Sequence, residues 1–176
     1  YMLSYFYYPK YGFDGFRIFN LSNETTNDFY DETLPCNYPV LSTDSLNIKA
    51  RPYGSTLEQW KNLTDSTGHK LPFQYMINAT QQNGFIDVEY DAFKPPLMLD
   101  SSRFLYEGAG DYTYYYSQTG INVTGIISVD GITESVSGIA WIDHQYCEFN
   151  PNGSEHYEWF SIQLSNGMDL IVWNIF

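Results

Sequence analysis

Apolar and polar residues alternate with a period of two along most of the chain, which is the pattern of half-buried strands. The alternation runs through MLSYFYY (2–8), FRIFN (16–20), LNIKARP (46–52), LPFQYMINAT (71–80) and GFIDVEYDAF (84–93). It resumes in DYTYYYSQTG (111–120), NVTGIISVDG (122–131), ITESVSGIAWID (132–143) and HYEWFSIQLSNG (156–167), and the apolar run MDLIVWNIF (168–176) reads as a last strand. Asn83-Gly84, Asp130-Gly131 and Asn166-Gly167 punctuate these runs, and each dipeptide tolerates the positive φ of a tight antiparallel hairpin. KPPLMLD (94–100) reads as extended and proline-stiffened, and the polar stretch LSNETTNDFYDETLPCNYP (21–39), with no period, as a long surface loop. One segment departs from the β pattern. In STLEQWKNL (55–63), Ser55 and Glu58 have capping-box spacing while Leu57, Trp60 and Leu63 share a helical face, which predicts a helix of about two turns.

At least eight strands with short connections and one short helix predict an all-β, antiparallel barrel or sandwich. Closure into a barrel is favoured because it removes apolar edges. A chain of 176 residues without internal repeat or linker is expected to form a single domain. Its apolar end, LIVWNIF, predicts further protein there, either a second barrel domain or a partner subunit in a homo-oligomer.

Composition sharpens this picture. Aromatic residues make up 19% of the chain and exceed the 16% that are charged, so the strands carry large apolar area with polar tips, suited to a β core or to a ligand cavity. The net charge of −13 repels nucleic acid and acidic lipid surfaces, and no basic run interrupts it. No run of 18 apolar residues is present to span a bilayer as a helix. Asn-X-Ser/Thr sequons occur at Asn20, Asn23, Asn62, Asn78, Asn122 and Asn152, where the composition alone would supply about two. Cys36 and Cys147 fit a single disulfide. Together these features predict a secreted or cell-surface protein carrying N-linked glycans. Metal-ligand spacings, phosphate-cradling glycine loops and cofactor fingerprints are missing, so neither metal nor cofactor is expected.

The candidate chemistry lies in SGIAWIDHQYCEF (137–149), which delivers Asp143, His144 and Gln145 in succession after Trp141. A carboxyl group in an aromatic wall can hold a proton near neutral pH and act as an acid, with His144 and Tyr115 assisting and Gln145 holding water. Aromatic faces stabilise a developing carbocation by about 0.5–2 kcal/mol each. Strand alternation places Trp141, Asp143 and Gln145 on one face and His144 on the other, unless the strand ends or bulges there. An alternative stays open: Asp143 ties the sheet together through hydrogen bonds and does no chemistry. Either role requires a dense polar network around it. In YTYYYS (112–117), Tyr114 and Tyr116 share one face and Tyr115 takes the other.

Residues 104–176 also carry a resemblance. Tyr115-Tyr116-Ser117, then Gly138, Ala140, Trp141, Asp143, His144 and Gln145, then Trp159, Phe160, Gln163, Leu164, Asn166 and Gly167, resemble the lipocalin-like family of carotenoid hydratases, kievitone hydratase and fungal cyclases of Diels–Alder type. The chain departs from that pattern at Tyr146-Cys147, where the family continues with Trp-Gly. The resemblance implies a lipocalin-like β-barrel, often one half of a two-barrel protein. It also implies a hydrophobic small-molecule partner, with hydratase or cyclase activity on an isoprenoid, phenolic or polyketide. Catalysis would fall to Asp143, His144 and Tyr115, and ligand contact to Trp141, Gln145, Trp159, Tyr114 and Tyr116. A rival reading from another class is a non-catalytic extracellular glycoprotein that self-assembles through aromatic surfaces. An enzyme needs an enclosed apolar volume of about a few hundred Å³, whereas an assembly module needs an exposed aromatic patch.

Overall fold

The structure, a computed structural model, describes residues 2–8, 13–19, 29–40, 42, 44–52, 58–81, 84–99, 104–108, 111–148 and 156–175. The elements are β1 (Met2–Tyr8), β2 (Phe13–Phe19), β3 (Phe29–Val40), β4 (Asn47–Pro52), β5 (Glu58–Thr64), β6 (Lys70–Gln81) and β7 (Gly84–Ala92). They continue with β8 (Leu97–Met98), β9 (Phe104–Gly108), β10 (Asp111–Val129), β11 (Ile132–Glu148), β12 (Tyr157–Gln163) and β13 (Asp169–Ile175). The described residues are all-β; β1 to β7 pair in succession in antiparallel ladders, and β8 and β9 with β10 and β12 with β13 are antiparallel as well. No helix among them is long and apolar enough to cross a membrane. The chain divides into two compact units, residues 1–91 with 122–139, and residues 92–121 with 140–176.

In the first unit β1 to β7 form a meander, each strand pairing with the next, and β10 follows β7 in the sheet. Its core is a product of register. Ile77 lies opposite Val88 and Ala79 opposite Ile86, so two alternating apolar rows meet side by side. Ile77, Ala79, Ile86, Val88, Tyr90 and Ile127 are all buried, each large apolar side chain contributing about 1.5–3 kcal/mol. The β10–β11 turn is Asp130-Gly131 with φ of 50° and 81°, the positive values the sequence predicts for a two-residue hairpin. At the β6–β7 hairpin Gly84 pairs with Gln81, so Gly84 is the first strand residue and the connection is residues 82 and 83.

The structure departs from three sequence expectations. The helix predicted over 55–63 is instead strand β5 across its described residues. Trp60 lies opposite Ile48 on one side and Ile77 on the other, and Glu58, the expected capping carboxylate, is buried with Oε1 accepting the Thr80 N–H at 3.2 Å. A helix of about two turns is marginal by itself, and pairing on both edges outweighs it. The loop predicted over 21–39 contains strand β3, whose ladder with β2 supplies the register its polar sequence conceals. The two strands read over 111–131 are one, β10, which passes through Gly120 and Gly125 at positive φ.

The second unit holds β8, β9, the first part of β10, the last part of β11 and the separate β12–β13 hairpin. A two-stranded sheet is marginal without packing. Lys94 fastens this one at its turn, donating to the Gly167 carbonyl at 2.9 Å and to Asp169 Oδ2 at 2.6 Å. Burial raises the Asp169 pKa, but hydrogen bonds from Lys94 and Thr119 and the Lys94 charge lower it by more, leaving it below the ordinary value. A depressed carboxylate pKa stabilises the fold above the unfolded value of about 4, and that contribution is lost as pH falls through the folded value. Lys94→Met is therefore expected to lower stability more near pH 7 than at acid pH below the Asp169 folded value, as read by urea unfolding across that range.

Candidate functional site

Strand alternation sorts the aromatic run of β10 into two faces. Thr113, Tyr115 and Ser117 are buried, whereas Tyr112 and Tyr114 are about two-fifths exposed. On β11, Trp141 and Asp143 share one face and His144 takes the other. The β12–β13 register sets Trp159 opposite Trp173.

These elements converge on one oxygen. Asp143 Oδ1 accepts hydrogen bonds from Tyr115 Oη, from Ser117 Oγ at 2.6 Å and from Trp141 Nε1 at 2.8 Å. Tyr115 Oη in turn accepts from Trp159 Nε1 at 3.1 Å. Ser117 Oγ lies farther from Tyr115 Oη, at 3.4 Å, so its single proton belongs to Asp143. Burial raises the Tyr115 pKa, and the hydrogen bond and charge of Asp143 raise it further, so this phenol stays protonated and stays a donor. All three neighbours of Oδ1 donate, the arrangement an acceptor carboxylate takes. No donor among the described residues meets Asp143 Oδ2. Three donors of the protein thus hold one oxygen of the carboxyl group.

The structure thus joins Asp143, Tyr115, Trp141 and Trp159 from the sequence-predicted set. It does not join His144 to them. The His144 ring meets the Tyr116 ring edge-to-face at 5.1 Å on the opposite side of the strands, and burial lowers its pKa. Tyr114 packs edge-to-face against Tyr112 at 6.0 Å, also away from Tyr115, and Gln145 is exposed. Of the predicted glycan sites, Asn62 is half-buried with Nδ2 donating to the Gln74 carbonyl at 3.3 Å, Asn78 is half-buried in β6, and Asn122 is exposed in β10. Asn20, Asn23 and Asn152 and the side chains of Cys36 and Cys147 lie outside the described residues.

Two members of the site escaped the sequence reading as functional residues. Ser117 shares the Tyr115 face by simple alternation. Trp173 is paired with Trp159 by a register centred on Asn166, whereas a two-residue Asn166-Gly167 turn would have set Asn174 opposite Trp159. Among the described residues no group of three or more His, Cys, Asp or Glu side chains is placed to hold a metal ion.

No curated protein matches the chain. Among solved structures it is similar to the crystal structure of an AttH-assigned protein from Nitrosomonas europaea, at 18% identity and a TM-score of 0.59. That match covers 93% of this chain and 54% of the other, so this chain spans about half the length of that structure. At such identity the likeness is one of fold, an antiparallel lipocalin-like β architecture. A family model described as AttH-like matches residues 18–176, and the chain belongs to the AttH-like family.

Proposed function

We propose that this protein binds an apolar small molecule against the Asp143–Tyr115 network and catalyses acid-assisted hydration or cyclisation of an isoprenoid, phenolic or polyketide. The observation that carries the reading is the fixing of Asp143 through Oδ1 alone. With Oδ1 filled by donors, a proton carried by Asp143 sits on Oδ2. In the hydration form that proton passes to an alkene carbon and forms a C–H bond, leaving a cation at the neighbouring carbon and a carboxylate at Asp143. A water oxygen then bonds to the cation, and its released proton returns to Oδ2. Trp141 and Trp159 supply aromatic faces toward the cation. Tyr115 orients the carboxyl group, and His144, on the other face, takes no part.

The test is incubation with a panel of alkene-bearing isoprenoids, phenolics and polyketides, read by mass spectrometry for gain of one water or for an isomeric ring product. Wild type is expected to form product, and Asp143→Asn to lose about 100-fold or more of the rate. Full activity in Asp143→Asn would falsify the acid assigned here.

The six sequons and two cysteines support an extracellular setting within the same proposal. Enzymatic deglycosylation should then lower the mass of material made in a eukaryotic secretory host; an unchanged mass removes the glycoprotein part.

One observation favours a second reading, a non-catalytic assembly protein. On β12–β13 the pairs Phe160–Val172 and Ile162–Leu170 are aligned and exposed, at 50%, 44%, 37% and 39%. Native mass spectrometry separates the two: a large homopolymer carrying no small molecule supports assembly, and a retained apolar compound supports the binding protein.

A further inference from the structure

Three of the four tryptophans stand in the second unit, and two spend their indole N–H groups inside the network. Trp141 donates to Asp143 and Trp159 to Tyr115. Trp173 does neither. It lies directly opposite Trp159, its ring meets the Tyr115 ring edge-to-face at 5.3 Å, and Tyr157 is tilted against it at 5.1 Å. Its Nε1 is buried, yet no acceptor among the described residues reaches it.

An indole N–H can only donate. A buried donor without a partner is costly, and such groups are few enough in native structures that each calls for an explanation. Tyr115 connects this donor to the proposed chemistry, because its hydroxyl meets Asp143 while its ring meets Trp173. We infer that Trp173 Nε1 is the donor that recognises an oxygen of the bound molecule, which is therefore a neutral, largely apolar compound bearing a carbonyl or ether oxygen. The inference rests on the small-molecule reading above and assigns part of its specificity. Anionic ligands are disfavoured by the net charge of −13.

The full chain with ¹⁵N-labelled tryptophan tests this. Four indole signals are expected, one from each of Trp60, Trp141, Trp159 and Trp173. The signal missing from Trp173→Phe identifies residue 173. Titration with 4-phenylbutan-2-one should move that signal downfield, and titration with n-butylbenzene, of similar size without the oxygen, should not. The ketone should bind about three- to tenfold more tightly, and Trp173→Phe should abolish that advantage while still binding the hydrocarbon.

Equal binding of the two compounds by wild type, an advantage that survives Trp173→Phe, or a signal unmoved by the ketone overturns the inference and leaves the apolar-ligand reading standing. Binding of neither overturns both. Should Trp173→Phe fail to fold, the wild-type pair decides alone: one indole signal shifted by the ketone only supports the assignment, and equal shifts or none sink it.

Discussion

Replacing Asp143 by leucine is expected to lower the folding free energy by about 3–5 kcal/mol, because it strands three donors that converge on one oxygen. Tyr115 and Ser117 are buried and cannot turn to water for a substitute acceptor. Tyr115 also takes the Trp159 N–H, so its reorientation would loosen the β12 strand. Asparagine is the informative comparator. Its amide oxygen can accept from the same three donors, so Asp143→Asn is expected to stay within about 1 kcal/mol of wild type. Urea unfolding followed by tryptophan fluorescence measures both. If leucine proves as stable as asparagine, the network contributes little to the fold. If asparagine folds and is inactive, the carboxyl group is needed for more than architecture.

A second large effect is expected at Gly125. Its φ is 156°, and a Cβ there would stand 2.2 Å from the Asp87 carbonyl oxygen and 2.6 Å from the Val88 Cα. These are backbone atoms of the paired strand β7, and they can move only by breaking the ladder that aligns Val88 with Ile77. Gly125→Ala should therefore cost about 4 kcal/mol or more, combining steric overlap with a backbone conformation that side chains disfavour. Gly138→Ala is the control. Nothing lies within 4 Å of its added Cβ, so its stability should stay within about 0.5 kcal/mol of wild type. Similar unfolding midpoints for the two variants would show that β7 and β10 are held less closely than described.

The ladders explain which expectations held. Asp130-Gly131 was legible as a turn because tight hairpins demand positive φ, and only a few residue types tolerate it. The alternation in GFIDVEYDAF was legible because one face is buried and the period of a strand is two. STLEQWKNL misled for a related reason: its local helical signals are worth little beside the partners that Trp60 and Glu58 find on β4 and β6. Those partners come from outside the segment, so no local window contains them. The same holds for LSNETTNDFYDETLPCNYP, where β3 takes its register from β2.

At the site, the separation of Asp143 from His144 followed from alternation alone. That Tyr115, Ser117 and Trp141 all aim at one carboxylate oxygen did not, since 26 or 28 residues separate the β10 donors from their acceptor.

Sequence by itself determined the all-β class, the hairpin at Asp130-Gly131, the opposite faces of Tyr114 and Tyr115, and the strong negative charge. These depend on backbone period, turn stereochemistry and composition, which are local or additive. Tertiary structure decided the division into two units, the conversion of the expected helix into β5, the choice of Oδ1 as the anchored oxygen and the buried, unshared N–H of Trp173. Each of those depends on which distant strand becomes a neighbour, a choice made by the packing free energy of the whole chain.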